Sequence, residues 1–383
     1  MAAASLALVT SVLLWTLLRR AGLDLAGWEI ATLALAPLAV VLLRRPQAPP
    51  FSRSFLTALI GLPVWVLITL PAISVAPAAT FVGWLHLAGC ILVFLIVRET
   101  AWRARTPWVA AFPLAAVAAL EAALGLAQFY AGADAGAHGT FVNRDHFAGL
   151  LEMALPFAAL YGLALVRQGR MTVAGVAAMA AAALILAGVV HSLSRMGFLC
   201  AIGGLVLAIA ATLRRKRWLL GAPAAAALLF VFLPNDRMIA RFAEFSTQPL
   251  DRARVWRETL PMVPDYLLTG CGLGGYESAF MKYKRAAPTV TDSYAHNDYL
   301  QALVELGLPG FLCGLVLVGA AVRAAWVGAW RGGSTERRAL AAACLGSLAA
   351  LLLHSLVDFN AYIPSNAMVF AWVAGLAMTP QVA

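Results

Sequence analysis

His296 stands in the densest polar run of the chain, Ser293-Tyr294-Ala295-His296-Asn297-Asp298-Tyr299-Leu300-Gln301. An imidazole exchanges its proton near neutral pH, so a histidine beside amides and a carboxylate is a candidate general base. A helix cap and a polar ring would use the same residues structurally. His296 and Gln301 sit on an otherwise apolar element, however, which favours chemistry there, with Asn297, Tyr299 and Gln301 as candidate substrate contacts. Guanidinium groups form a second set. In Asp251-Arg252-Ala253-Arg254-Val255-Trp256-Arg257-Glu258, helical spacing puts Arg252 and Trp256 on one face and lets Arg254 pair with Glu258. An Arg fork matches two phosphate oxygens, although a solvated amphipathic helix explains the same pattern.

Two further arginines interrupt apolar surroundings. Arg195, in His191-Ser192-Leu193-Ser194-Arg195-Met196-Gly197, lies between two apolar stretches. There a guanidinium must pair, snorkel, or meet a charged ligand such as a lipid pyrophosphate. Arg144 lies in Gly139-Thr140-Phe141-Val142-Asn143-Arg144-Asp145-His146-Phe147-Ala148-Gly149, where Asn143 or Asp145 can cap the following helix and Arg144 can reach an anion. The glycine run Gly270-Cys271-Gly272-Leu273-Gly274-Gly275 permits tight turns but lacks the lysine-serine ending of a phosphate loop. Cys90, Cys200, Cys271, Cys313 and Cys344 form no CxxC pair, and there is no HExxH run, so neither a disulfide framework nor a metal site is expected. No carboxylate pair stands out as a hydrolase arrangement, although Glu152, Asp251, Glu258, Asp292, Asp298 and Glu305 leave room for local assistance.

These residues are positioned by elements that belong in a bilayer. Of 383 residues 62% are hydrophobic and only 12% charged, with a mean hydropathy of +0.83. That balance is incompatible with an ordinary soluble domain. Backbone amides in hydrocarbon must bond internally, so the long apolar runs are helices of roughly 20 residues. The pattern predicts an all-α polytopic membrane protein with spans near 3–18, 24–43, 54–70, 79–97, 106–130, 147–166, 171–191, 197–213, 218–234, 296–322, 339–355 and 362–378. The first is expected to be a retained helix, because Arg19 and Arg20 follow it without a clear cleavage signal. Three regions result: an N-terminal bundle over 1–234, a polar loop with short helices over 235–295, and C-terminal helices over 296–383.

Charge sets the expected orientation. The net charge of +10 lies in short clusters between apolar stretches rather than in an aromatic-basic domain, so it signals topology and not nucleic-acid binding. With the N-terminus inside, inner loops carry sixteen Lys and Arg, while the short outer loops carry only Arg19, Arg20, Arg144 and Arg195. The positive-inside rule then places both termini in the cytoplasm and the 235–295 loop outside.

Taken together, the Asn143–Phe147 run, the Ser194-Arg195-Met196-Gly197 turn, Arg252 four before Trp256, the glycine run ending at Gly274, and His296-Asn297 followed by Glu305-Leu306-Gly307 resemble, in order, the bacterial O-antigen ligase and polymerase superfamily. The resemblance covers roughly residues 75–360. It implies a GT-C-like arrangement of about twelve helices in the bacterial inner membrane, with the loop periplasmic. The implied donor is a glycan on undecaprenyl pyrophosphate, and the implied acceptor is lipid A core or a second lipid-linked glycan. Arg195 and Arg252 match arginines thought to hold the donor pyrophosphate, and His296 matches the histidine associated with acceptor activation. Met196 stands where relatives often have a small residue, and Arg254 could share the role of Arg252. A metal-independent transferase without a cofactor follows, ligase-like or, alternatively, a polysaccharide polymerase or protein O-glycosyltransferase. A solute transporter is the competing reading from another class.

Overall fold

A computed structural model describes residues 2–22, 25–104, 106–132, 136–169, 172–213, 238, 248–285 and 292–379. Among them the chain is all-α. The N-terminal helices are α1 (Ala2–Leu18), α2 (Leu25–Leu43), α3 (Arg53–Ala72), α4 (Pro77–Arg103), α5 (Phe112–Tyr130), α6 (Arg144–Arg167), α7 (Val173–His191) and α8 (Arg195–Thr212). Three short helices follow, α9 (Gln248–Thr259), α10 (Met262–Tyr266) and α11 (Tyr276–Phe280), and then α12 (Asp298–Arg331), α13 (Thr335–His354) and α14 (Pro364–Ala377). Eight described helices are long and apolar enough to cross a membrane, and Ala2–Leu18, Leu33–Leu43 and Pro364–Ala377 are shorter apolar helices. The span expected at 218–234 and the basic run at 214–217 lie outside the described residues.

Polar residues at the boundaries start the helices where the apolar runs begin. Side-chain oxygens of Ser52, Asn143, Thr172, Ser194, Asn297 and Ser334 accept backbone N–H groups in the first turns of α3, α6, α7, α8, α12 and α13. Prolines open α4, α5 and α14, where a missing N–H costs nothing. Small residues then set the packing. α8 and α13 cross at Gly204 and Gly346, where a Cβ on either would run into the other's carbonyl oxygen. α6 and α13 are the enclosed helices, with 78% and 72% of their apolar windows buried against 22% for α12.

The helix ends segregate the charges. At one end Arg103 donates to Glu99 at 2.8 Å and to the Arg45 carbonyl at 2.8 Å, Arg98 donates to the Met378 carbonyl at 3.2 Å, and Arg167 donates to Thr212 at 2.9 Å. α6 and α14 run from the opposite end, which holds the heads of α8 and α12 and the end of α13.

α12 is not one continuous helix. Gly307 adopts φ 63° and ψ 179°, a conformation open to glycine, and the regular ladder breaks there. The glycine run fills the gap. Cys271 N donates to the Val304 carbonyl at 2.9 Å, Gly272 N to the Glu305 carbonyl at 3.0 Å, and Leu308 N to the Leu267 carbonyl at 2.6 Å. Trp65 Nε1 takes the Leu306 carbonyl at 2.7 Å. Peptide groups exposed by a break in a membrane helix must be satisfied by protein, and here the 267–272 backbone does so. A Cβ at Gly270 would collide with the Glu305 carbonyl, so glycine is needed for that approach. Val255, Met262, Cys271, Tyr276, Phe280, Ala295 and Val304 close a small separate core that fixes α9–α11 to the head of α12.

Candidate functional site

The polar groups at the outer-loop end converge on a carboxylate in the turn between α13 and α14. Asp358 is buried, and its Oδ1 faces His296 Nδ1 at 3.4 Å and His146 Nε2 at 3.7 Å. Its Oδ2 faces Arg252 Nη2 at 3.3 Å and His354 Nε2 at 4.0 Å. The Phe359 N–H donates to Oδ1 at 2.9 Å, and Asp145 stands 3.7 Å from the same Arg252 nitrogen. Burial alone would raise the Asp358 carboxyl. The imidazoles of His146 and His296 outweigh it and hold Asp358 well below the usual carboxylate range.

Each partner is delivered by a different element. His146 lies in the first turn of α6, and its carbonyl accepts Asn366 Nδ2 at 2.9 Å. Arg252 and Trp256, four apart on α9, both point to this side, and Trp256 Nε1 donates to the His296 carbonyl at 3.2 Å. His296 has a left-handed backbone, φ 51°, sparsely populated by residues other than glycine. Its neighbours hold it there. Asn297 caps α12 through Leu300 N at 2.9 Å and donates to the Leu356 carbonyl at 3.0 Å, and Asp298 N donates to the Ser355 carbonyl at 2.9 Å. The side chains of His296 and Arg252 remain 33% and 21% exposed, so both reach solvent or a substrate.

The other expected site residues are placed as follows. Arg195 opens α8, whose first turn packs on Ala148 of α6 through Gly197. Arg144 opens α6 beside Asp145. Arg254 turns to Glu258 at 3.5 Å and Asp292 at 3.4 Å rather than to Asp358. Tyr299 donates to the Leu352 carbonyl at 2.7 Å. Gln301 accepts from Ala295 N at 2.9 Å and donates to Glu305 at 3.2 Å. Reading the sequence missed Asp358, His146 and His354. Their signal was present, since a histidine and an aspartate four apart at the end of an apolar helix are expensive to place near hydrocarbon.

Beside the cluster is a cavity of about 520 Å³ between α4, the 273–277 turn, the head of α12 and the start of α14, lined in part by His86, Tyr294, Gln301, Glu305 and Tyr362. The Tyr294 ring stacks on Phe359 with centroids 4.0 Å apart, and Phe359 meets the edges of His146 and His296 at 4.5 and 4.9 Å. One aromatic layer therefore separates cavity from cluster. Glu305 accepts from Gly274 N at 2.9 Å, Tyr276 N at 3.2 Å and Tyr362 Oη at 2.9 Å. Burial and the adjacent Glu305 push the Tyr362 phenol well above its ordinary value. Among the described residues, Glu152, Cys200 and His354 have the composition of a metal set, with ligand atoms within 4.8 Å of one another.

Fold and site thus define a polytopic all-α membrane protein with a histidine–arginine–carboxylate cluster at one end of its bundle. Residues 180–315 match the family model described as O-Antigen ligase, and a domain of that family is present over this part of the chain. The match takes in Arg195, Arg252 and His296 and ends before Asp358. No curated protein matches the chain.

Proposed function

We propose that the protein transfers a glycan from a polyprenyl-pyrophosphate donor to an acceptor hydroxyl at the periplasmic face of the bacterial inner membrane. The observation that carries this reading is that His296 and Arg252 approach opposite oxygens of one buried carboxylate, Asp358, at 3.4 and 3.3 Å. Because Nδ1 of His296 faces Asp358, Nε2 is the nitrogen left for the hydroxyl. His296 takes the hydroxyl proton, and Asp358 stabilises the imidazolium that results. The acceptor oxygen then bonds to the anomeric carbon as the bond from that carbon to the pyrophosphate oxygen breaks. The electron pair departs on the polyprenyl pyrophosphate, whose growing charge Arg252 and Arg195 stabilise, with Arg144 and Arg254 as outer phosphate contacts. Asn297 and Gln301 serve substrate binding by fixing the backbone around His296, and Tyr299 by tying the head of α12 to α13. The donor carries its own activation, so no nucleotide is needed, and in this metal-independent reading the arginines supply the positive charge at the pyrophosphate.

The topology that suits this reaction has about twelve spans, GT-C-like, with both termini cytoplasmic. Eight long helices, three shorter apolar ones and the expected span at 218–234 are consistent with that number. Segregation of Arg98, Arg103 and Arg167 at the end opposite Asp358 supports the orientation.

The test uses purified protein in nanodiscs with a labelled undecaprenyl-pyrophosphate glycan, offered either lipid A core or a second lipid-linked repeat. A glycan–lipid A core bond identifies a ligase, and elongation of the lipid-linked repeat identifies a polymerase. His296→Ala should cut transfer about 10²–10⁴-fold, the range for a general base, while donor binding persists. Wild-type transfer by a folded His296→Ala protein, or glycan movement without bond formation, overturns the reading.

A further inference from the structure

At the end of the bundle opposite Asp358, α6, α8 and α13 leave a cavity of about 280 Å³ that the transfer reaction does not use. Its polar part lies at the helix ends, where Arg167 closes α6, Thr212 closes α8, and Thr335 and Arg338 stand in the first turn of α13. Its wall is apolar, formed by Leu160, Leu163 and Ala164 of α6. Leu160 precedes Arg167 by two turns, about 10 Å deeper along the helix axis. Arg167 donates to Thr212 at 2.9 Å and Arg338 to the Ala329 carbonyl at 3.3 Å, but among the described residues neither guanidinium is paired with a carboxylate. Arg103, at the same end, is paired with Glu99. We infer that this cavity holds an anionic membrane phospholipid, with Arg167 and Arg338 on its phosphate oxygens and the α6 wall on the first part of an acyl chain.

Three features select that occupant. Guanidinium forks match phosphate oxygens, and the hydroxyls of Thr212 and Thr335 offer further donors, as in the basic hollows between membrane helices that take anionic head groups. The charge is unbalanced. Glu336, the acid in the first turn of α13, does not line the cavity, so an ammonium beside the phosphate would meet two guanidiniums and no carboxylate among the described residues. The apolar wall, finally, separates a lipid from a free anion, because inorganic phosphate would leave Leu160 and Leu163 uncovered whereas an acyl chain covers them. α6 and α13 are also the helices whose other ends bring His146 and Asp358 together. A lipid held by both therefore fastens their far ends. The inference depends neither on the transfer chemistry nor on the orientation of the bundle.

The test uses the full-length protein, stripped of lipid in detergent and titrated with dioleoylphosphatidylglycerol, dioleoylphosphatidylcholine or inorganic phosphate. Bound lipid is counted by native mass spectrometry, and melting temperature is followed in parallel. Phosphatidylglycerol should fill one tight site and raise the melting temperature, because it binds the folded state. Phosphatidylcholine and inorganic phosphate should do neither at the same concentration. Arg167→Gln combined with Arg338→Gln should weaken phosphatidylglycerol about tenfold or more. Arg331→Gln combined with Arg337→Gln removes the same charge from residues outside the cavity and should change affinity by no more than about twofold, since exposed charges are screened. Equal losses in the two double variants overturn the inference, because the lipid would then be following the general charge of that end. Equal binding of phosphatidylcholine overturns it without any variant. Stabilisation by inorganic phosphate as large as that by phosphatidylglycerol also overturns it, because the occupant would then be a free anion.

Discussion

Asp358 and Glu305 are both buried to 1% exposure at the same end of the bundle, separated by the layer of Tyr294, Phe359 and Tyr362. Their surroundings differ in kind. Glu305 is met by neutral donors, two backbone amides, a phenol and a carboxamide, from the 274–276 turn, Tyr362 and its own helix. Asp358 is met by an arginine and three histidines brought from α6, α9, the head of α12 and the end of α13. Neutral donors satisfy an acid and join two segments. Titratable and cationic partners instead make a carboxylate respond to protons and anions, which is what a site of acid–base chemistry on a pyrophosphate requires.

Substitutions that remove charge without removing shape test this contrast. Asp358→Asn should be the most damaging, lowering glycan transfer by about 10²–10⁴-fold while the protein still inserts. Its effect on stability has a sign. A carboxyl held below its usual range stabilises the fold above its unfolded value of about 4, and that contribution is lost as pH falls through the lower folded value. Melting temperatures measured down to pH 3 should therefore fall less steeply for Asp358→Asn than for the unmodified protein. A parallel decline would place Asp358 with Glu305, as structural.

Arg195→Lys comes next. It keeps the charge at the head of α8 but loses the fork, so transfer should drop about tenfold or more with donor affinity weakened. Unchanged donor affinity there would confine the phosphate contacts to α9. Glu305→Gln should behave in the opposite way to Asp358→Asn. Thermal denaturation should show a loss of about 1–3 kcal/mol from mismatched buried donors, with transfer per folded molecule within about threefold. A collapse of transfer in a stable Glu305→Gln protein would erase the distinction. The smallest effect is expected of Tyr362→Phe, about 1 kcal/mol for one hydrogen bond, read from the same melts.

The sequence showed the membrane elements well, because apolar runs of span length leave helices as the only backbone solution. It also singled out two of the residues that meet Asp358, His296 and Arg252. Trp256 and Arg252 at i and i+4 do face one way, and Arg254 does pair with Glu258. Asp358 escaped because its partners other than His354 are 62, 106 and 212 residues away along the chain and are brought to it by the head of α12, by α9 and by α6. No local spacing encodes that. The glycine run escaped for a related reason. Gly270 and Gly272 read only as residues of tight turns, whereas their backbone closes on the interrupted backbone of α12.

That interruption has a mechanical consequence. As a continuous rod, the 34 residues of α12 would be about 51 Å long, well beyond the hydrocarbon thickness. Gly307 divides it into 298–306, fastened to the glycine run, and 308–331, about 36 Å long, which carries the exposed Trp326 and Trp330 toward its far end. Cut at Gly307, the helix offers the bilayer a piece of about the span length and leaves its head, with Asn297 and Asp298, to the loop backbone that holds it beyond the hydrocarbon.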